Sequence, residues 1–208
     1  AQAIAKLEAA RKLAPDDEVI MGLLGELYAG NGKLDEARAL FEKGHQLYPT
    51  NPYHLLQLGQ LRLALGDQDG AKQLYDQALA LNAAYAKSHY HLGNWFLARG
   101  EAEKAFGYFQ ESTRLEPDSP ETCIGMALVY ERLERPDAAL TEYKKALELE
   151  PNNFMASNMM GLVHLKRGKL DMAIAAFLNT ARLNPQFVNA HVNQGLTYEA
   201  MGKTDDAI

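Results

Sequence analysis

The stretch LGELYAGNGKLDEARALFEKGHQLYP, residues 24–49, decides the fold. It places a glycine at 25, a tyrosine at 28, an alanine at 37, a phenylalanine at 41 and a closing proline at 49. Stepping by 34 residues in either direction returns the same pattern. Gly25, Gly59, Gly93, Gly161 and Gly195 form one column, with Ala127 in the remaining place. Ala37, Ala71, Ala105, Ala139, Ala173 and Ala207 form a second, which reaches back to Ala3. Phe41, Tyr75, Phe109, Tyr143 and Phe177 form a third, and Pro15, Pro49, Pro117, Pro151 and Pro185 a fourth, with Ala83 as its exception.

The columns have a helical explanation. A small residue and an aromatic four positions apart share one face of a helix, one above the other, so the ring fills the space beside the small residue. The Gly or Ala of the first half lets two helices approach closely. Gly32, Gly66, Gly100, Gly168 and Gly202 recur where that first helix must end, the place of a left-handed C-cap. Glu134 takes this place in one unit, where Pro136 is expected to stop the helix instead. Asn51-Pro52 and Ser119-Pro120 read as helix starts, a capping side chain before a proline suited to the first turn. Each unit therefore predicts two helices of roughly 12 to 14 residues, each ~20 Å long.

LGELY with ARALF, LGQLR with AKQLY, LGNWF with AFGYF, MALVY with ALTEY and MGLVH with AIAAF reproduce the spacing L-G-x-x-Y, A-x-x-x-F, P, followed by a last QGLTY. The chain thereby resembles the tetratricopeptide repeat family along its whole length. The resemblance implies an all-α fold, a right-handed superhelical solenoid of antiparallel helix pairs. It implies one array over 1–208: a partial unit 1–17, units 18–51, 52–85, 86–119, 120–153 and 154–187, and a partial unit 188–208. The register places both ends inside a unit, as expected of a piece of a longer protein. Departures from the family pattern are mild. Met21, Leu55, His89, Cys123, Ser157 and His191 stand where the first helix often carries a large aromatic, and Arg62 and His164 interrupt the tyrosine column.

Composition narrows the function. With 47% hydrophobic and 23% charged residues over 208 positions, the chain can bury a core. No apolar run approaches the ~18 residues that span a bilayer, so no direct membrane insertion is expected. A net charge of -6 without a basic cluster argues against nucleic acid as a partner. The single cysteine, Cys123, excludes an internal disulfide, and localisation stays open.

The resemblance further implies a protein or peptide partner in a concave groove lined by the first helix of each unit. Mapped here, the groove has a polar zone, Tyr53, Leu56, Gln57, Gln60 and Leu63 followed by Lys87, Tyr90, His91, Asn94 and Leu97. An apolar zone follows: Glu121, Ile124, Leu128 and Glu131, then Met155, Asn158, Met159, Leu162, Leu165 and Lys166, then Val192, Asn193 and Leu196. Amides such as Gln57, Gln60 and Asn94 both donate and accept, which suits gripping a partner's main chain, while Leu128, Met159 and Leu162 would receive an apolar anchor. The plainer reading is that the amides are solvated surface and the apolar residues pack between helices. The cationic clamp for a terminal carboxylate known in this family is not expected, because Gly22, Leu56, Tyr90, Ile124, Asn158 and Val192 occupy its key position.

Catalysis is not expected, and neither is a cofactor or metal. His89 and His91 are two apart and point to different helix faces, while His45, His54, His164 and His191 lie in different units without ligand spacing. Cys123 falls in an inward column with no base beside it, the place of a small buried apolar residue. No phosphate loop, G-x-S-x-G or H-E-x-x-H is present. The function expected is a protein-interaction scaffold, for example in assembly of a bacterial multiprotein complex; the alternatives are the substrate-recruiting arm of a larger enzyme, such as a protein glycosyltransferase, and a self-associating module.

Overall fold

The computed structural model describes residues 2–203. Among these it contains twelve α-helices: α1 (Gln2–Leu13), α2 (Glu18–Gly30), α3 (Leu34–Leu47), α4 (Tyr53–Ala64), α5 (Gln68–Leu81), α6 (Ala86–Ala98), α7 (Ala102–Leu115), α8 (Pro120–Arg132), α9 (Pro136–Leu149), α10 (Phe154–Lys166), α11 (Leu170–Leu183) and α12 (Val188–Ala200). Two compact units divide the chain, residues 1–95 and 96–208.

In the first unit α2 packs on α3 and α4 on α5, and each pair docks on the next through α3 and α4. Gly25 explains the closeness of the first pair. A Cβ there would lie 2.5 Å from Cε1 of Phe41, and Gly59 meets Tyr75 in the same way. Both rings are about 1% exposed, with Met21, Leu24, Ala37 and Leu40 buried around Phe41. Burying one such ring contributes roughly 1.5–3 kcal/mol.

The second unit repeats the arrangement with α8 on α9 and α10 on α11, linked through α9 and α10. Gly161 makes room for Phe177. Ala139, Tyr143, Ala146, Ala156 and Val163 form its centre, with Cys123 buried among them as a small apolar residue. Burial also raises the Cys123 thiol pKa, which keeps it protonated and unreactive.

A column absent from the 34-residue reading couples each pair to the next. Gly44 lies against the His54 ring, Ser112 Oγ lies 3.1 Å from Thr122 Oγ1, and Ala146 and Ala156 are both fully buried. Large faces small, and polar faces polar, across successive helices. Gly125 is a second such feature, pressed on Phe109 of the preceding helix pair.

The caps follow the sequence with two differences. Ser119 caps α8, its Oγ accepting from Thr122 N, whereas Pro52 rather than Asn51 stands at the cap of α4, with Asn51 Oδ1 accepting from Tyr53 N just before it. Gly32, Gly66, Gly100, Gly168 and Gly202 all take positive φ. Glu134, at φ 56, adopts the same left-handed turn, so α8 ends as its neighbours do and Pro136 instead opens α9. Ala3 is exposed, unlike the fully buried Ala37, Ala71, Ala105, Ala139 and Ala173 of its column, and Ala207 lies outside the described residues.

Candidate functional site

In the first unit, α2, α4 and the first part of α6 carry the polar candidates. Tyr53 opens α4 with its ring edge-on to Phe41, and the missing side chain of Gly22 leaves it room. Its hydroxyl donates to Glu26 Oε1 at 2.7 Å. Gln57, one turn further and so on the same face, donates its Nε2 to the same oxygen at 3.1 Å. Burial, and next the bond to Glu26, raise the Tyr53 pKa well above the ordinary tyrosine value, so the hydroxyl remains a donor.

Gln60 and His91 meet across α4 and α6, with Nε2 to Nε2 at 3.2 Å. An amide nitrogen only donates, so His91 Nε2 accepts and the ring is neutral. Desolvation, assisted by Lys87, pushes the His91 pKa down to about 4. The ring stacks on Tyr75 at 5.1 Å, and Tyr90 meets it edge-on. Asn94 is half-buried and makes no hydrogen bond among the described residues.

In the second unit, α8, α10 and α12 carry the apolar candidates. Ile124 and Met159 pack against the core centred on Tyr143, so these two serve helix packing. Leu128 and Leu162 are half-buried. Asn158 is buried, and its Oδ1 accepts from Asn193 Nδ2 at 3.1 Å, which ties α10 to α12. The exposed large apolar side chains of these helices are Met155 at 39%, Val188 at 69%, Val192 at 52% and Leu196 at 53%, of which Met155, Val192 and Leu196 are among the groove positions mapped from the sequence. Glu131 Oε1 accepts from Tyr143 Oη at 2.7 Å, while its other oxygen lies 3.3 Å from Lys166 Nζ.

Five of the candidates form three hydrogen-bonded groups. Tyr53 and Gln57 converge on one carboxylate, Gln60 and His91 on each other, and Asn158 on Asn193. Glu26 is the residue that sequence reading missed. Its signal is its place, 34 residues before Gln60 and 68 before Asn94, in the same column of the repeat. Among the described residues no group of three or more His, Cys, Asp or Glu is arranged to hold a metal, and no helix is long and apolar enough to cross a membrane.

Comparison with known proteins agrees with this architecture. Tetratricopeptide repeat models match residues 56–120, 124–186 and 158–208, and a second such model matches 1–44. The chain belongs to the tetratricopeptide repeat family. No curated protein sequence matches it. Among solved structures, the Cut9–Hcn1 hetero-tetramer of the APC/C is similar with a TM-score of 0.87 and 22% identity, over 99% of this chain and 42% of that one. Pseudomonas aeruginosa PilF is similar at 0.79 and 18%, over 91% of this chain and 86% of PilF. Yeast Tom70 is similar at 0.79 and 18%, over 98% of this chain and 44% of Tom70. At these identities the likeness is one of fold. This chain spans less than half the length of the Cut9–Hcn1 and Tom70 chains.

Proposed function

We propose that this tetratricopeptide repeat protein is an interaction scaffold that binds a segment of another protein on the face of the first helices within each unit. One observation carries the reading: Met155, Val192 and Leu196 hold apolar side chains in water on α10 and α12, at the groove-lining positions of the repeat. Apolar groups left exposed in this way gain by being covered, and a partner's apolar side chain covers them. In the first unit the uncommitted amide of Asn94 offers a donor and an acceptor to a partner's main chain. Gln57 and Gln60 contribute differently. One N–H of each is held by Glu26 or His91, which leaves its carbonyl oxygen and its second N–H for a partner.

The test is affinity capture with the chain beside two variants, Asn94→Ala and Leu196→Glu, each checked by circular dichroism and melting. A protein retained by the parent chain is then measured by titration. The reading expects affinity to fall about tenfold or more with Leu196→Glu, the loss of one buried apolar contact and the burial of a charge. Equal affinity for all three proteins would place the partner elsewhere on the molecule.

A further inference from the structure

Away from the groove positions, α3, α4, the turn after α4 and Leu74 in the middle of α5 line a cleft of about 730 Å³. Its apolar lining includes Leu58, Leu61, Leu65 and Leu74, of which Leu65 is 62% exposed. Two arginines, Arg38 and Arg62, stand in the same wall.

The repeat itself explains the opening. Arg38 and Arg62 are 24 residues apart, a spacing that joins a second helix to the first helix of the next pair. Pairs at that spacing elsewhere within either unit are apolar or aromatic. Phe106 packs on Tyr130 with ring centroids 5.7 Å apart, Leu140 and His164 are both buried, and Ile4 and Tyr28 belong to one core cluster. Only here do two arginines replace the plug. Each folds back on a neighbouring acid instead of filling the space, Arg38 on Asp35 at 2.8 Å and Arg62 on Asp67 at 2.9 Å.

These pairs neutralise the arginines and leave their flat guanidinium faces available for stacking on a ring. Lys33 is engaged over the Tyr28 ring at 5.4 Å. Glu36 and Glu42 also line the cleft, exposed and without an ion pair among the described residues. The charge left over at the rim is therefore negative. We infer that this cleft is a second docking site, taking an aromatic side chain of a partner protein next to a lysine or arginine. The ring sits where Phe106 and Tyr130 meet in the second unit, stacked by the arginines, and the adjoining cation meets Glu36 and Glu42.

The probes are three blocked peptides, acetyl-Gly-Phe-Lys-Gly-amide, acetyl-Gly-Phe-Glu-Gly-amide and acetyl-Gly-Ala-Lys-Gly-amide, titrated into the full chain with methyl resonances of Leu61, Leu65 and Leu74 observed by NMR. The Phe-Lys peptide is expected to shift these methyls saturably and about fivefold more tightly than Phe-Glu, the ratio that two exposed charge contacts of changed sign give. The Ala-Lys peptide leaves them unmoved. The variant Arg38→Phe with Arg62→Tyr restores the plug and abolishes the shifts. Should it fail to fold, Glu36→Lys with Glu42→Lys reverses the preference between Phe-Lys and Phe-Glu. Absence of saturable shifts, or shifts indifferent to both variants, overturns the inference. So does a plug variant that lowers a concentration-dependent mass of the free chain while no peptide binds, since the occupant would then be a second copy. Because no first-helix groove residue is changed, failure here is separate from failure of the groove reading.

Discussion

Gly44 of α3 and His54 of α4 are fitted to each other: a Cβ on the glycine would run into the imidazole ring, which is fully buried. Three repeats further on, Ala146 and Ala156 share the same contact with the bulk divided evenly. The relationship makes the two positions energetically coupled. Gly44→Ala alone overpacks the contact and is expected to cost about 1–3 kcal/mol. His54→Ala alone leaves a cavity. The double variant recreates the Ala146–Ala156 pair and is expected to recover at least about 1 kcal/mol of the summed losses. A double-mutant cycle by urea unfolding reads the coupling, and strict additivity would contradict the fit.

Two tyrosines at equivalent positions should respond oppositely to loss of their hydroxyls. Tyr143 Oη donates to Glu131, whereas Tyr75 Oη is buried with no hydrogen-bond partner, because Leu63 stands where Glu131 stands two repeats later. Tyr143→Phe is expected to destabilise by about 1–2 kcal/mol. Tyr75→Phe removes an unsatisfied group and is expected to be neutral or stabilising. Melting temperatures of the two variants decide it, and equal losses would argue against the difference.

Glu134 holds a left-handed backbone that glycine holds at the end of the first helix in five other repeats. A side chain in that conformation costs about 1 kcal/mol, partly offset because glycine loses more entropy on folding. Glu134→Gly is therefore expected to raise stability by about 0.5 kcal/mol, seen as a higher melting temperature. A lower one would mean that the side chain contributes something the turn does not explain.

Acid should loosen the first unit through His91. Burial lowers its pKa from 6.5 to about 4, so the folded state favours the neutral ring. The resulting stability is fully present above the unfolded value and is lost as pH falls from about 6.5 toward 4, when the unfolded chain takes up a proton that the folded one resists. His54 and His164, also depressed chiefly by desolvation, shift stability in the same direction. Melting temperature is expected to fall over this range, and His91→Gln is expected to reduce the total loss of unfolding free energy between about pH 7 and 4 by an amount on the order of 2 kcal/mol. An unchanged slope would remove His91 from the account.

The fold was legible because its signal is repeated. Gly25, Ala37 and Phe41 are weak evidence once, but the same spacing through successive units fixes helix lengths, helix ends and the pairing of first with second helices. The site was legible only as a list of positions. Gln57 and Asn94 read alike as groove amides, yet one is held by Glu26 and the other makes no bond, and that difference depends on which residue lies across the neighbouring helix.

Sequence alone thus determined the helical repeat, the close approach of two helices at Gly25, and the burial of Cys123, since all follow from spacing along one chain. Tertiary structure alone decided what spacing does not encode: that Gly44 yields to His54, that Asn158 pairs with Asn193, and that Arg38 and Arg62 stand in the wall of a cleft where Phe106 and Tyr130 pack on each other in the second unit. The physical reason is that volume and hydrogen bonds are shared between helices distant in sequence. A residue's role is set by the partner that packing brings against it, and that partner differs from repeat to repeat while the register stays the same.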